Sequence, residues 1–184
     1  SYYGISKYAA ERFVHATAAR TDLTKPFNVT SFRMFNVYGP RQSLTNSYQG
    51  ALAIFIGNVL RNEPITIYGD GLQTRDFIYI DDVIQAWTRA IDTKSTFQQV
   101  YNLGNGKQIS VKDMVKAVIL AAGKNPDTYP VIYKDQRPGE QRFMEADMKK
   151  AFTDFSFKPS TSFAKGLTQT HSWAQSQLES SAII

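Results

Sequence analysis

The sequence contains no cysteine among its 184 residues. Disulfides, thiolate catalysis and cysteine-ligated metal sites are therefore excluded. Only two histidines occur, His15 and His171, far apart in the chain. A zinc site built on them would need carboxylates that the sequence does not place beside them, so no metal is expected. No apolar run approaches the roughly 18 residues that mark a membrane span, and no signal-peptide pattern is visible, so the expected location is the cytoplasm. The chain carries a net charge of +5 with a pI near 9.3. It has no long run of lysine and arginine. A local anionic site therefore fits the charge better than a nucleic-acid-binding face. A glycine-rich strand–turn–helix of the G-x-x-G-x-x-G type is also lacking. "GNGKQIS" is too short to be one, and no acidic residue follows such a turn to hold a ribose.

What is present suits a soluble globular chain: 42% hydrophobic and 20% charged residues, long enough for a substantial core. From Ile5, apolar positions recur at helical spacing through Ala16, with the helix ending between Thr21 and Pro26. "FNVTSFRMFNVYG" predicts one buried strand and then a loop at Gly39-Pro40. "QGALAIFIGNVLRNEP" predicts a helix closed by Pro64. "ITIYGDG" and "TRDFIYI" predict two short extended segments around a glycine turn. Asp81-Asp82 is expected to cap a helix with Val83, Trp87, Ala90 and Ile91 on one face. "VYNLGNG" predicts another strand. Ser110 is expected to cap a helix bearing Val111, Met114, Val115, Val118 and Ile119, ended by Gly123. "PVIY" predicts a strand, Asp147 a short helix and Ser162 a final helix to about Leu178, with the tail "ESSAII" frayed. Strands alternating with helices make the class α/β.

The chemistry begins at "SYYGISKYAAE". Tyr3 and Lys7 are four residues apart and share one helix face. A free tyrosine ionises near pH 10, and bringing it to about 7 requires roughly 4 kcal/mol of preference for the phenolate. A lysine about 5 Å away, at an effective dielectric near 20, supplies on the order of 3 kcal/mol. The spacing thus suits a proton-transferring tyrosine. On spacing alone, two residues on a helix surface is the plainer reading.

Further segments follow in order: "SFRMFNVYGPRQ", "ITIYGDGLQTRDFIYIDDV", "VYNLGNG" and "RPGEQRFMEAD". Together with the first they resemble the C-terminal half of the extended short-chain dehydrogenase/reductases, above all the nucleotide-sugar 4-epimerases and their dehydratase relatives. The resemblance runs from Tyr3 to about Trp173. It implies the C-terminal portion of a Rossmann-type fold with a small α/β substrate-binding lobe. The last Rossmann elements would fall at about 1–36 and 81–104, and the lobe at about 37–80 and 105–178. The N-terminal NAD-binding part would be missing, so the chain alone is expected to lack activity and to bind NAD poorly.

Carried over by position, the resemblance makes Tyr3 the catalytic base and acid. Lys7 would lower its pKa and bind the nicotinamide ribose. Phe35 would lie with its backbone beside the nicotinamide, and Asn36 would contact the sugar-nucleotide diphosphate. Arg75 and Arg137 would bind the diphosphate, and Tyr68 with the backbone of Thr66 would pack on the base. Bland readings stand beside these: a turn asparagine, solvated arginines, a core aromatic. Arg33 reads as a strand residue paired with a carboxylate. Tyr2 stands where relatives usually have proline, and Glu140 where they usually have aspartate.

The implied activity is NAD-dependent epimerisation of a nucleotide-diphosphate sugar of the UDP-hexose type. The alternatives are a 4,6-dehydratase, decarboxylase or reductase of the same family, or a non-catalytic nucleotide-sugar binding or assembly module. The implied partners are a UDP-sugar or other nucleotide-diphosphate sugar and a second copy in a homodimer, with no nucleic acid and no membrane.

Overall fold

The computed structural model describes residues 1–25, 27–46 and 50–181. Pro26, Gln49 and the last three residues of the tail, which entered the expected element bounds, lie outside them. Helix α1 (Tyr2–Ala18) starts at Ser1, whose Oγ accepts from the Gly4 N–H at 3.1 Å. Only Ala18 of this helix is buried. Tyr2, Ile5, Tyr8 and Phe13 are 58–93% exposed, so the apolar positions that define the helix in sequence face outward. This outward face is where the expected contact with a second copy would fall. Two polar contacts tether α1: His15 Nε2 to Ser31 Oγ at 3.0 Å, and a bidentate pair between Arg33 and Glu11 at 2.8 Å for both bonds. The expected carboxylate partner of Arg33 is therefore Glu11. That pairing also holds the Glu11 carboxyl below its ordinary value.

The segment expected as one buried strand is two. Strand β1 (Thr30–Met34) and strand β2 (Asn36–Tyr38) part at Phe35. β1 pairs in parallel with β5 (Gln99–Leu103), while β2 pairs in parallel with β4 (Thr74–Tyr79). The Phe35 N–H closes the first ladder by donating to the Leu103 carbonyl at 2.9 Å. β1 is not buried: Arg33 and Met34 are exposed and the rest half-buried. Among the described residues β5 is its only pairing partner, so the far edge of β1 is uncovered.

β4 also pairs antiparallel with β6 (Gln108–Ser110), and β3 (Ile65–Tyr68) pairs in parallel with β7 (Val131–Lys134). Alternation along β3 turns Ile65 and Ile67 into the core and leaves Thr66 and Tyr68 together on the other face. Helices α2 (Ala51–Leu60), α4 (Val111–Ala121) and α6 (Phe163–Ser181) build the larger core with β3 and β4, centred on Leu52, Ile56, Val118, Ile119 and Leu167. Ser110 caps α4 by accepting from the Asp113 N–H at 3.0 Å, and Ser162 accepts from the Lys165 N–H at the start of α6. Asp147 accepts from the Lys149 N–H at the start of α5 (Lys149–Phe155).

A second core joins Ile78, Tyr101, Leu103, Phe155 and Phe157 to helix α3 (Ile80–Asp92). The expectation that Asp81-Asp82 caps α3 is corrected. Tyr79 stands at the cap, and both aspartates lie in the first turn. Asp82 is fully buried and accepts from Ser160 N and Oγ and from Thr161 N, at 2.9, 2.9 and 3.1 Å. A carboxylate can cap its own helix or hold a distant segment, and here three donors some 80 residues away in sequence outcompete the local N–H groups. The buried stripe of α3 is Val83, Ala86 and Ala90. Trp87 and Ile91, expected beside them, are half or more exposed, with the Trp87 ring stacked 6.4 Å from Phe32. No helix among the described residues is long and apolar enough to cross a membrane.

Candidate functional site

β4 begins where a long loop returns across it. The Thr74 N–H donates to the Arg142 carbonyl at 2.9 Å, and Arg142 pairs with both oxygens of Asp70 at 2.7 Å. That pair holds the Asp70 carboxyl down to about 2. Asp76, fully buried, accepts from the backbone N–H groups of Asn105, Gly106 and Ala146 at 2.7, 2.9 and 2.9 Å. One carboxylate thus ties β4 to both the glycine turn after β5 and the end of the returning loop. Gly104 is required by the same junction, because a Cβ there would stand 2.5 Å from the Ala146 Cβ and 2.9 Å from Asp76 Oδ2.

Arg75 lies inside this frame. Its Nη1 donates to the carbonyls of Thr74 and Gln141 at 2.7 and 2.9 Å, and its Nη2 to Glu140 Oε1 at 2.7 Å. The Arg75 and Glu140 side chains are only 16% and 20% exposed. Glu140 Oε2 is buried without a partner. Nearby, the Arg137 guanidinium lies over the Tyr68 ring, its Cζ 4.0 Å from the centroid. Hydrogen bonding to Arg137, and then its positive charge, hold the Tyr68 hydroxyl below the ordinary tyrosine value.

These groups rim a cavity of about 350 Å³ between α2 and β3, with Ile54, Phe55, Ile67 and Val111 as apolar lining. Thr66, Tyr68 and Arg137 line it directly, and Arg75 reaches it through Glu140. An apolar slot with a cationic rim can hold a flat ring and a neighbouring anion. A larger cavity of about 720 Å³ lies between the glycine turn and α5, lined in part by Phe152, Phe157 and Lys158. The ends of two motifs, Asn105-Gly106 and Glu145 to Asp147, reach it, but none of the candidate catalytic or binding residues lines it, so size does not select the site.

The other candidates lie elsewhere. Tyr3 and Lys7 share the outer face of the first turns of α1, with Lys7 Nζ 5.4 Å from the Tyr3 ring centroid and Tyr3 71% exposed. Ser6, between them, donates its hydroxyl to the Tyr3 carbonyl. Phe35 and Asn36 sit where the chain changes sheets, at the C-terminal end of β1. Asn36 Oδ1 is buried and has no hydrogen-bond partner. Neither pair lines the 350 Å³ cavity. Sequence reasoning did not single out Asp76 or Gln73. A carboxylate directly before the apolar run of β4, between Arg75 and Phe77, was the available signal for the first.

The family model described as NAD dependent epimerase/dehydratase family matches residues 1–104. A dTDP-L-rhamnose 4-epimerase of Burkholderia thailandensis is 31% identical over 179 residues, covering 97% of this chain and 47% of that protein. A UDP-glucose 4-epimerase of Thermotoga maritima, solved with UDP-glucose, superposes with a TM-score of 0.86 at 34% identity, covering 96% of this chain and 54% of that one. A UDP-glucuronic acid 4-epimerase of Bacillus cereus, solved with UDP-glucuronic acid and NAD, superposes with a TM-score of 0.83 at 31% identity, covering 95% and 52%. Relatives of similar identity also include a dTDP-glucose 4,6-dehydratase and a UDP-N-acetyl-alpha-D-glucosaminuronate decarboxylase. The chain spans about half the length of the curated relatives it matches.

Proposed function

The chain belongs to the NAD-dependent epimerase/dehydratase family, and from that premise we propose that it carries the substrate side of a nucleotide-sugar 4-epimerase. The observation that carries this reading is the cavity on β3, where an apolar slot meets the Tyr68–Arg137 stack and the Arg75–Glu140 pair. The slot suits a base and the two arginines a diphosphate, since guanidinium groups bind phosphate oxygens through charge-assisted bonds. Asn36, with its orphaned buried oxygen, is proposed as a further contact to the ligand.

Tyr3 is proposed as the group that removes a proton from a sugar hydroxyl and returns one later, with the Lys7 ammonium favouring its phenolate. Tyr3 and Lys7, a hydroxyl and an ammonium on one exposed face, fit the ribose end of a nicotinamide cofactor, with the backbone at Phe35 beside it. NAD, when bound, supplies the hydride acceptor and donor, so no net redox change occurs. The sequence has no glycine fingerprint for the dinucleotide phosphates. We therefore place that part of the site outside these 184 residues.

Calorimetry with UDP and with a UDP-hexose tests the binding half of this reading. Arg75→Ala is expected to weaken both by roughly 2 to 3 kcal/mol, the scale of charged hydrogen bonds. An equal loss for both fits a contact to the diphosphate. A loss confined to the UDP-hexose would put Arg75 at the sugar, and no loss would remove it from the site.

A further inference from the structure

Gln73 is 5% exposed and lines the same cavity beside Tyr68 and Arg137. Its Nε2 donates to the Tyr68 carbonyl at 2.7 Å. That bond fixes the amide orientation, because turning it over would set oxygen against oxygen. The free end is therefore Oε1, and it is buried with no hydrogen-bond partner. A buried carbonyl without a donor costs free energy, which a bound group with an N–H or O–H would recover. The second orphaned atom at this cavity, Glu140 Oε2, is also an acceptor. The cavity's buried free ends thus call for a ligand that presents donors.

We propose that Gln73 is a specificity-determining residue that accepts a hydrogen bond from the ring N–H of the nucleotide's base, so that the site takes uracil or thymine and discriminates against cytosine. This rests on the reading of the cavity as a nucleotide site. Uracil and thymine both carry an N–H at ring position 3. Cytosine carries a bare acceptor there, which would face Oε1 lone pair to lone pair. The Gln73 side chain is attached to β3 through the Tyr68 carbonyl, the residue whose ring borders the slot. Its position is thus tied to the surface on which the base would pack.

The test is competitive calorimetry of the purified protein with UDP, dTDP, CDP and N3-methyl-UDP. UDP and dTDP are expected to bind alike. CDP and N3-methyl-UDP are expected to bind roughly tenfold or more weaker, the scale of one buried acceptor left unpaired. In Gln73→Leu the UDP-to-CDP ratio is expected to collapse toward one. Equal binding of UDP and CDP by the native protein overturns the proposal while leaving the nucleotide site standing. A ratio retained in Gln73→Leu assigns the reading of the base to another group and overturns it too. If the leucine variant does not fold, N3-methyl-UDP decides on the native protein, and binding as tight as UDP refutes the role of Oε1. Failure of all four to bind overturns both this proposal and the nucleotide-sugar reading beneath it.

Discussion

Tyr3→Phe is expected to lower turnover of a nucleotide-linked sugar by about 100-fold to 10,000-fold, the usual effect of removing a proton-transfer group. Turnover is measured with NAD present. Affinity for the nucleotide sugar should be nearly unchanged, because Tyr3 stands apart from the cavity that would hold the nucleotide. Stability should change by less than about 0.5 kcal/mol, as for other exposed positions. The ring is 71% exposed, and the Ser6 hydroxyl bonds the backbone carbonyl of Tyr3, which phenylalanine keeps. Turnover, affinity and melting therefore separate a chemical role from a structural one. A variant retaining more than a tenth of native turnover would remove Tyr3 from the proton transfer.

Asp76→Ala is the largest expected effect on folding, at about 3 to 5 kcal/mol from urea denaturation. Three N–H groups lose their acceptor together, that of Ala146 buried and those of Asn105 and Gly106 part-buried, each costing on the order of 1 to 3 kcal/mol when left unpaired and shielded from water. Some of that is recovered if water enters the space left by the carboxylate. The loss should also reach ligand binding. Asp76 fixes β4 directly after Arg75 and holds Ala146, at the far end of the loop that carries Glu140 and Arg137. A loss under about 1 kcal/mol would mean that the three N–H groups find other partners and that the junction does not depend on this carboxylate.

The pieces of this site differ in how far the sequence discloses them. Helix α4 was legible end to end, because Ser110, the apolar spacing and Gly123 are all local signals. Arg33 was legible as a paired strand residue, although Glu11 could not be named from the pattern. The motif "TRDF" marked Arg75 but not its bond to Glu140, which lies 65 residues further along. The role of Asp82 is hidden from local pattern for the same reason. Local rules favour a cap, whereas its partners, Ser160 and Thr161, come from 78 and 79 residues away. The run from Phe27 to Gly39 reads as one strand because both halves are β-formers. The break at Phe35 follows from which strands lie alongside, β5 for the first half and β4 for the second. Gln73 gave no signal at all, since its significance is an oxygen with nothing bonded to it.

Hydrogen-exchange mass spectrometry with and without saturating UDP-glucose tests whether a nucleotide sugar binds at the cavity on β3. Slowed exchange is expected in residues 65–76 and 135–142, the strand, turn and loop around the Tyr68–Arg137 stack and the Arg75–Glu140 pair. Protection centred instead on residues 145–159, around the larger cavity beside α5, or no protection anywhere at saturation, would contradict it.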